Sequence, residues 1–429
     1  MNDNETTERS EKATEEKGVD RRRWITQSAA LASALFGAKA ANPQTLQEIR
    51  KADHDQSATN PGPENQAIRS VQPDSFIPPA TDQGEAPEFW NTFSAAHRRI
   101  QPGGWARQVT VRDFPISTTI AGVNMRLDAG GVRELHWHAA GEWAIVLDGA
   151  CRITCLDDQG RMFITDLGVN DLWFFPTGDP HSIQGLGPNG TEFLLVFDDG
   201  AFSEGDTTLL SAWLRHTPPE VLAKNWQIQP AEVEKCYDVP AGGKWIFQAA
   251  VPPPLEEDKQ AAAKYKPLSP IDFSFRMSQM QPTFKTKGGE VRIIDSRNFK
   301  VSKSIAAAHV VVHPGGMRVL HWHQNADEWQ YYIQGKARMT IFFNGTTART
   351  SNFDPGDVGY VPKTLPHYIE NTGDTDLIFL ELFKSDIYED ISLTNWAMTL
   401  PPELVAQTIN ISPENLAQLS NLNVPVVPA

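Results

Sequence analysis

The stretch Leu135-His136-Trp137-His138 decides the fold of this chain, because it occurs a second time as Leu320-His321-Trp322-His323. The two stretches are 185 residues apart (321 − 136 = 185), and the same spacing matches Gly103-Gly104 with Gly288-Gly289 without a gap. A repeat of this length indicates that one structural unit occurs twice. The total of 429 residues also suits two domains, so we predict two tandem domains of one fold.

The correspondence continues past the histidines, with one residue inserted in the second copy. The spacing then becomes 186 residues (328 − 142 = 186), which aligns Glu142 with Glu328. Farther on it falls to 183 residues (396 − 213 = 183), which aligns Trp213 with Trp396. The first copy therefore has three extra residues, in a polar stretch that contains residues 203–207. A polar insertion in one copy alone predicts an exposed, mobile loop, and such loops often carry function.

Short strand-like segments make up each copy. Residues 150–156 and 172–175 in the first copy, and residues 338–343 and 377–383 in the second, are rich in apolar and β-branched side chains. Gly, Asp, Asn and Pro separate these segments, and helical patterns follow each copy. We therefore predict a mostly β protein with a small antiparallel barrel or sandwich in each copy and with flanking helices.

The repeated histidines have the spacing of metal ligands. His136 and His138 are two residues apart, so both rings point to one side of a strand. Glu142 follows a short bend, and His181 follows a later turn. The second copy repeats the set as His321, His323, Glu328 and His367. Imidazoles and a carboxylate that converge in this way predict one metal site per copy, and the ligand set suits six-coordinate manganese or iron without selecting between them.

Charge and cysteine content exclude several classes of function. The formal charge of −15 disfavours nucleic-acid binding, which depends on Lys and Arg, and requires any anion site to be locally positive. Cys151 and Cys155 would lie roughly 13 Å apart along one strand, too far for a disulfide. A bond from Cys236 to either of them stays possible. The chain has no Cys-x-x-Cys motif that would indicate a thiol or zinc site.

The N-terminal residues have the pattern of an export signal. Arg21-Arg22-Arg23-Trp24-Ile25 precedes a short apolar run, and Ala38-Lys39-Ala40 forms a small-residue cleavage pattern. This arrangement resembles a twin-arginine signal, although a disordered basic tail is the alternative. The apolar run is too short to cross a bilayer, so we expect no stable membrane insertion. The expected location is periplasmic or extracellular.

These patterns divide the chain into five expected segments. They are an export signal at 1–40, an extended arm at 41–90, an N-terminal domain at 91–235, an interdomain linker at 236–285, and a C-terminal domain with terminal helices at 286–429.

Longer motifs resemble the cupin superfamily and, within it, the bicupin oxalate decarboxylases. They are Arg133-Glu134-Leu135-His136-Trp137-His138, the stretches 171–176 and 180–184, and in the second copy 321–323, 328–332 and 357–362. The resemblance covers roughly residues 70–410. It implies two cupin barrels (double-stranded β-helix or jelly roll), two manganese ions per chain, dioxygen as a co-catalyst, an acid-side pH optimum and a homo-oligomer, either trimer or hexamer.

The resemblance also implies roles for residues that are not metal ligands. Arg133 and Arg318 would hold the substrate carboxylate beside each metal, although simple strand alternation would not place Arg133 with His136, and a surface arginine is the alternative. Glu204 corresponds to the family's lid glutamate, which moves protons, unless it is an ordinary solvated acid. Its neighbours Gly205 and Asp206 depart from the family sequence. Glu381 is expected either to form a buried ion pair with an arginine or to carry protons at the second site.

The function implied by the resemblance is the conversion of oxalate to formate and CO2. Three alternatives remain open from the sequence. An oxalate oxidase would use the same metal and arginine but release CO2 and hydrogen peroxide. A periplasmic manganese-binding bicupin would hold metal without turnover, and a dioxygenase would need a larger apolar pocket. Because only the first copy has the lid, we expect the chemistry at the N-terminal site.

Overall fold

The sequence repeat forms two barrel-like sets of antiparallel strands in the computed structural model, which describes residues 62–421 and 424–429. The strands of the first half are β1 (Trp90–Thr92), β2 (Arg99–Gln101), β3 (Gly104–Val109), β4 (Ala121–Leu127), β5 (Gly131–Trp137), β6 (Glu142–Leu156), β7 (Met162–Gly168), β8 (Leu172–Phe175), β9 (His181–Gly185), β10 (Thr191–Phe197) and β11 (Thr208–Leu209). Three short strands follow: β12 (Ile246–Gln248), β13 (Ser274–Phe275) and β14 (Phe284–Lys285).

The second half repeats the strand order. Its strands are β15 (Gly289–Ile294), β16 (Ala306–Val312), β17 (Met317–Trp322), β18 (Glu328–Gln334), β19 (Ala337–Phe342), β20 (Ala348–Phe353), β21 (Asp357–Val361), β22 (His367–Asn371), β23 (Leu377–Phe383), β24 (Ile391–Ser392) and β25 (Val426–Val427). The mostly β, two-cupin architecture predicted from the sequence is therefore confirmed.

Helices precede, separate and follow the barrels. The α-helices are α1 (Gln66–Val71), α2 (Pro73–Phe76), α3 (Leu210–Arg215), α4 (Pro219–Trp226), α5 (Pro230–Val233), α6 (Leu255–Ala263), α7 (Leu393–Thr399), α8 (Pro402–Ile409) and α9 (Pro413–Leu416). Short 3-10 helices occur at Phe93–Ala95, Glu204–Asp206, Glu234–Tyr237, Met277–Gln279 and Ala417–Asn421. Among the described residues, no helix has the length and apolar character needed to cross a membrane. The predicted export signal lies outside the described residues.

The long strand β6 connects the two sheets of the N-terminal barrel. Its first part pairs with β10 and β8, and its second part pairs with β7 and β9. Gly149 lies at the crossing point with φ +70°, a left-handed conformation that glycine adopts without steric cost. In the second half the equivalent Gly335, at φ +85°, separates β18 from β19. The two sheets of the C-terminal barrel are therefore distinct.

Strands at the centre of the molecule are buried on both faces. Along β6, Trp143 and Ile145 face a core shared by the two barrels, where they join Trp329 of β18. The alternate residues Ala144 and Val146 face the interior of their own barrel. Strands that are covered on both faces appear in sequence as continuous apolar runs, which explains why these segments show no alternation of polar and apolar residues.

Segments that lie outside the barrels also pair with barrel strands. Strand β1, which precedes the N-terminal barrel, pairs with β21 of the C-terminal barrel, and Asp74 forms a two-point ion pair with Arg338 at 2.7 Å. The described part of the arm thus contains short helices and packs on the second barrel, whereas the sequence analysis expected extended chain. Strands β12 and β13 return from the segment between the barrels to pair with β5 and β8.

All three cysteines, Cys151, Cys155 and Cys236, are free, so no disulfide joins Cys236 to either of the others.

Candidate metal centres and substrate pocket

The four predicted ligands of the first copy form one buried cluster. His136 lies near the end of β5 and His138 just beyond it, while Glu142 begins β6 and His181 begins β9. Strand pairing places His136 directly opposite His181. One ligand atom of each of the four side chains lies within 4.8 Å of those of the others. Sequence spacing therefore predicted a set of side chains that the fold brings together.

The second copy forms an equivalent cluster in the C-terminal barrel. Strand pairing again places two histidines opposite each other, His321 and His367. Glu328 Oε2 lies 2.8 Å from His367 Nε2 and 3.1 Å from His323 Nε2. These four residues are buried, and their ligand atoms also lie within 4.8 Å of one another.

Backbone hydrogen bonds orient all six imidazoles. In each ring Nδ1 donates to a main-chain carbonyl, at distances between 2.5 and 3.1 Å. The donor and acceptor pairs are His136 to Glu134, His138 to Ala140, His181 to Asp179, His321 to Val319, His323 to Glu389, and His367 to Leu365. This bond fixes the tautomer that leaves the Nε2 lone pair pointing into the cluster, as a metal ligand requires.

Buried nitrogens without partners show that the clusters fit a cation. In the described chain, Nε2 of His181 and His321 is buried and makes no hydrogen bond. Nε2 of His323 and of His367 is also buried and has Glu328 Oε2 as its close contact. Burial, together with the charge of Arg133, holds the pKa of His136 well below its usual value, so this ring is neutral. Burial and Arg318 do the same for the pKa of His321. A neutral imidazole beside a carboxylate is a suitable ligand for a divalent ion.

Residues that the sequence analysis missed hold the two ligand carboxylates. Trp173 Nε1 donates to Glu142 Oε1 at 2.9 Å. In the second cluster Gln330 Nε2 donates to Glu328 Oε1 at 2.7 Å, and Tyr332 OH donates to Gln330 Oε1 at 2.7 Å. The sequence contains a signal for the second group, because Glu328, Gln330 and Tyr332 are two residues apart along β18. Residues with this spacing share one face of a strand.

The arginines reach the clusters through an irregular strand. The pairing of β5 with β9 shifts register between Arg133 and His136, and β17 shifts in the same way between Arg318 and His321. Such an irregularity changes the face on which a side chain lies. It explains how residues three apart in sequence can serve one site. The alternative that Arg133 is a surface residue is wrong, because it is only 2% exposed.

The two arginines differ in their hydrogen bonds. Arg133 Nε and Nη1 are buried without a partner in the described chain, whereas Arg318 Nε donates to Glu381 Oε1 at 3.0 Å. The other nitrogens of Arg318 donate to Tyr388 OH and Asp390 Oδ2, both at 2.8 Å, and to Pro425 O at 3.3 Å. Unsatisfied charged donors are costly when buried. Arg133 therefore has donors free to bind an anion, whereas the donors of Arg318 are already bonded to protein oxygens.

Glu381 forms the ion pair that was one of its two predicted roles. Its carboxylate is fully buried against Arg318, and burial raises its pKa despite the opposing charge of that arginine. The second role, as a proton carrier, stays a prediction.

The predicted lid segment, Ser203–Thr207, lies beside Arg133 and contacts it through Glu204. Glu204 Oε2 lies 3.0 Å from Arg99 Nη2, and Glu204 Oε1 lies 3.9 Å from Arg133 Nη2. The expectation of an exposed loop is wrong for Glu204, which is 6% exposed, because the two guanidinium groups draw its carboxylate inward. Gly205 and Asp206 are exposed as expected. A cleft of about 640 Å³ lies beside the lid and is lined by His97, Arg99, Arg107, Gln108, Glu204 and Gly205, among others.

Comparisons with known proteins agree with this geometry. The family model described as Cupin matches residues 91–234 and 275–417. Oxalate decarboxylase OxdC of Bacillus subtilis (strain 168) is 48% identical over 373 residues, which cover 87% of this chain and 95% of the relative. A probable oxalate decarboxylase of Arthroderma benhamiae is 39% identical over 345 residues, which cover 80% of this chain and 83% of the relative.

A solved structure of the Bacillus subtilis enzyme, studied for the EPR parameters of its Mn(II) centres, superposes with a TM-score of 0.82. It is 47% identical and covers 87% of this chain and 98% of that chain. The resemblance inferred from the histidine, proline and glutamate motifs is thereby confirmed across both barrels. The chain belongs to the cupin family and, within it, to the bicupin oxalate decarboxylases.

Proposed function

We propose that this protein is a manganese-dependent oxalate decarboxylase that converts oxalate to formate and CO2 at its N-terminal site, with dioxygen required. The observation that carries the proposal is the buried Arg133, which has two hydrogen-bond donors without partners beside four convergent metal ligands. The relatives named as oxalate decarboxylases support oxalate as the substrate, and the Mn(II) centres of a solved neighbour support manganese as the metal.

Arg133 is suited to bind one carboxylate of oxalate. Its guanidinium presents a planar fork of donors that matches a carboxylate in a two-point contact. Arg133 is buried, so the attraction between the two charges is stronger than it would be at the surface. When bound by His136, His138, Glu142 and His181, manganese would supply a Lewis acid with open positions and a one-electron couple.

Glu204 is suited to move the proton. The reaction removes a proton from the monoprotonated substrate and later adds one to the carbon that remains after CO2 leaves. A single carboxylate that accepts the first proton and returns it at carbon ends the cycle unchanged, so hydrogen oxalate gives one CO2 and one formate. Glu204 lies close enough to Arg133 to reach a substrate bound there.

The alternatives differ in what happens after substrate binding. An oxalate oxidase would release peroxide because the carbon is not protonated, and a manganese-binding bicupin would bind metal without turnover. The test is product analysis with manganese-loaded protein and oxalate in mildly acidic, aerated buffer. We expect one formate per CO2 and little peroxide. Peroxide without formate would support the oxidase, and neither product would support the binding protein.

We also propose that the protein is an exported homo-oligomer, a trimer or hexamer. Helices α3, α4, α7 and α8 present large exposed side chains, which are Trp213, Val221, Trp226, Trp396, Leu404 and Ile409. Exposed apolar groups of this size support burial between subunits. Light scattering of purified protein tests the assembly. Cell fractionation after replacement of Arg22 and Arg23 by Lys tests the twin-arginine route.

A further inference from the structure

Two guanidinium groups face the single carboxylate of Glu204, and they are not equivalent. Arg99 Nη2 lies 3.0 Å from that carboxylate, within hydrogen-bond distance, whereas Arg133 Nη2 lies 3.9 Å from it. Arg99 belongs to the short strand β2, which no sequence pattern marked as part of the site. Its contact is the closer of the two, so Arg99 rather than Arg133 holds the carboxylate in place.

A strained tryptophan supports both arginines. The guanidinium group of Arg99 lies 4.5 Å from the centroid of the Trp245 ring, and that of Arg133 lies 5.2 Å from it. Both distances are typical of a cation–π contact. Trp245 adopts φ +59°, which is costly for a residue with a bulky side chain. The backbone N–H of Trp245 donates to Glu134 Oε2 at 3.0 Å, and the backbone N–H of Lys244 donates to the same oxygen at 2.8 Å. The buried carboxylate of Glu134 thus holds the tryptophan in this conformation.

We propose that Arg99 is a positioning residue that holds the Glu204 carboxylate over the N-terminal site and keeps the lid segment closed. The proposal rests on the proposed role of Glu204 as the proton carrier. When a substrate carboxylate takes the free donors of Arg133, Glu204 retains Arg99 as its partner. Arg99 is 33% exposed and lines the cleft beside the lid. Loss of its charge would therefore let the carboxylate turn toward solvent, away from the reacting carbon.

The test compares Arg99→Met, Arg99→Lys and the control Arg98→Met, which removes the same charge from an exposed neighbour. For a partly exposed ion pair of about 1 kcal/mol, we expect the ratio of formate to peroxide to fall ~5-fold in Arg99→Met. The KM for oxalate should change less than ~2-fold, because Arg133 is intact. Arg99→Lys should recover part of the ratio, and Arg98→Met should match the unmodified protein.

Hydrogen exchange supplies a readout that needs no turnover. Thr207 N donates to Glu204 O within the lid, so deuterium uptake of a peptide covering residues 202–208 reports lid opening. Uptake should rise in Arg99→Met and not in Arg98→Met. In a Glu204→Ala background, Arg99→Met should change neither the product ratio nor the uptake further.

Unchanged products and unchanged uptake in Arg99→Met would overturn the proposal. If the unmodified protein makes no formate from oxalate, the proposed function fails instead. Hydrogen exchange still decides whether Arg99 holds the lid in that case.

Discussion

Arg133 and Arg318 occupy equivalent positions in the two barrels, yet their guanidinium groups have opposite hydrogen-bonding states. All three nitrogens of Arg318 donate to protein oxygens, whereas Nε and Nη1 of Arg133 are buried without a partner in the described chain. Duplication thus produced two similar metal-ligand sets, of which the first has donors free for a substrate anion. This difference supports our proposal that the reaction takes place in the N-terminal barrel.

Replacing Arg133 by Gln should weaken catalysis through substrate binding. A hydrogen bond to a charged group contributes roughly 1.5–3 kcal/mol, so kcat/KM for oxalate should fall roughly 10- to 150-fold. Arg133→Lys should recover little, because an ammonium cannot form the two-point contact. Steady-state kinetics provides the measurement, with Arg112→Gln at an exposed position as the control. A kcat/KM equal to that of the control would contradict the role of Arg133.

Each metal site should be lost independently. We expect two manganese ions per chain, and about one per chain in either His181→Ala or His367→Ala, since each histidine contributes to a single cluster. Elemental analysis of folded protein prepared at neutral pH measures this, because the ligand imidazoles must be deprotonated. Loss of formate production should accompany His181→Ala even where the second ion is retained. Two ions in either variant would show that the affected histidine is not a required ligand.

His309 should make stability depend on pH without touching either metal site. Burial, with a contribution from Arg292, lowers the pKa of His309 from its ordinary value of 6.5 to about 4. The pKa of His309 is lower in the folded state than in the unfolded state, so protonation of the unfolded chain favours unfolding. The contribution of His309 to the free energy of unfolding is therefore fully present above pH 6.5 and is lost as the pH falls toward 4. The loss amounts to about 3 kcal/mol.

His309→Gln should remove that part of the pH dependence. Urea denaturation of the metal-loaded protein at pH 7 and at pH 4.5 measures it, as the difference between the unmodified protein and the variant. The two proteins should differ in how much stability they lose between these pH values. Parallel losses would show that His309 is not buried in its neutral form.

The fold and the metal ligands could be predicted because they depend on local periodicity. A strand places residues two apart on one face, so His136 and His138 had to converge, and the second copy repeated the pattern. Arg133 needed the family resemblance, since the register shift that brings it to the site is not visible in the sequence. The burial of Glu204 could not be predicted, because it depends on Arg99, which lies 105 residues earlier in the chain. Trp245 comes from the segment between the barrels and has no sequence signal for its left-handed backbone.

The most direct test of the account is the product balance of Glu204→Ala beside the matched control Asp206→Ala, in which an exposed acid of the same lid is removed. Both variants should retain two manganese ions, since neither residue is a ligand. Loss of a positioned acid or base typically costs about 10²- to 10⁴-fold. We therefore predict that Glu204→Ala loses formate production by about that factor and releases proportionally more peroxide, while Asp206→Ala keeps one formate per CO2. Equal formate production by the two variants would contradict the assignment of Glu204 and, with it, the placement of the chemistry beneath this lid.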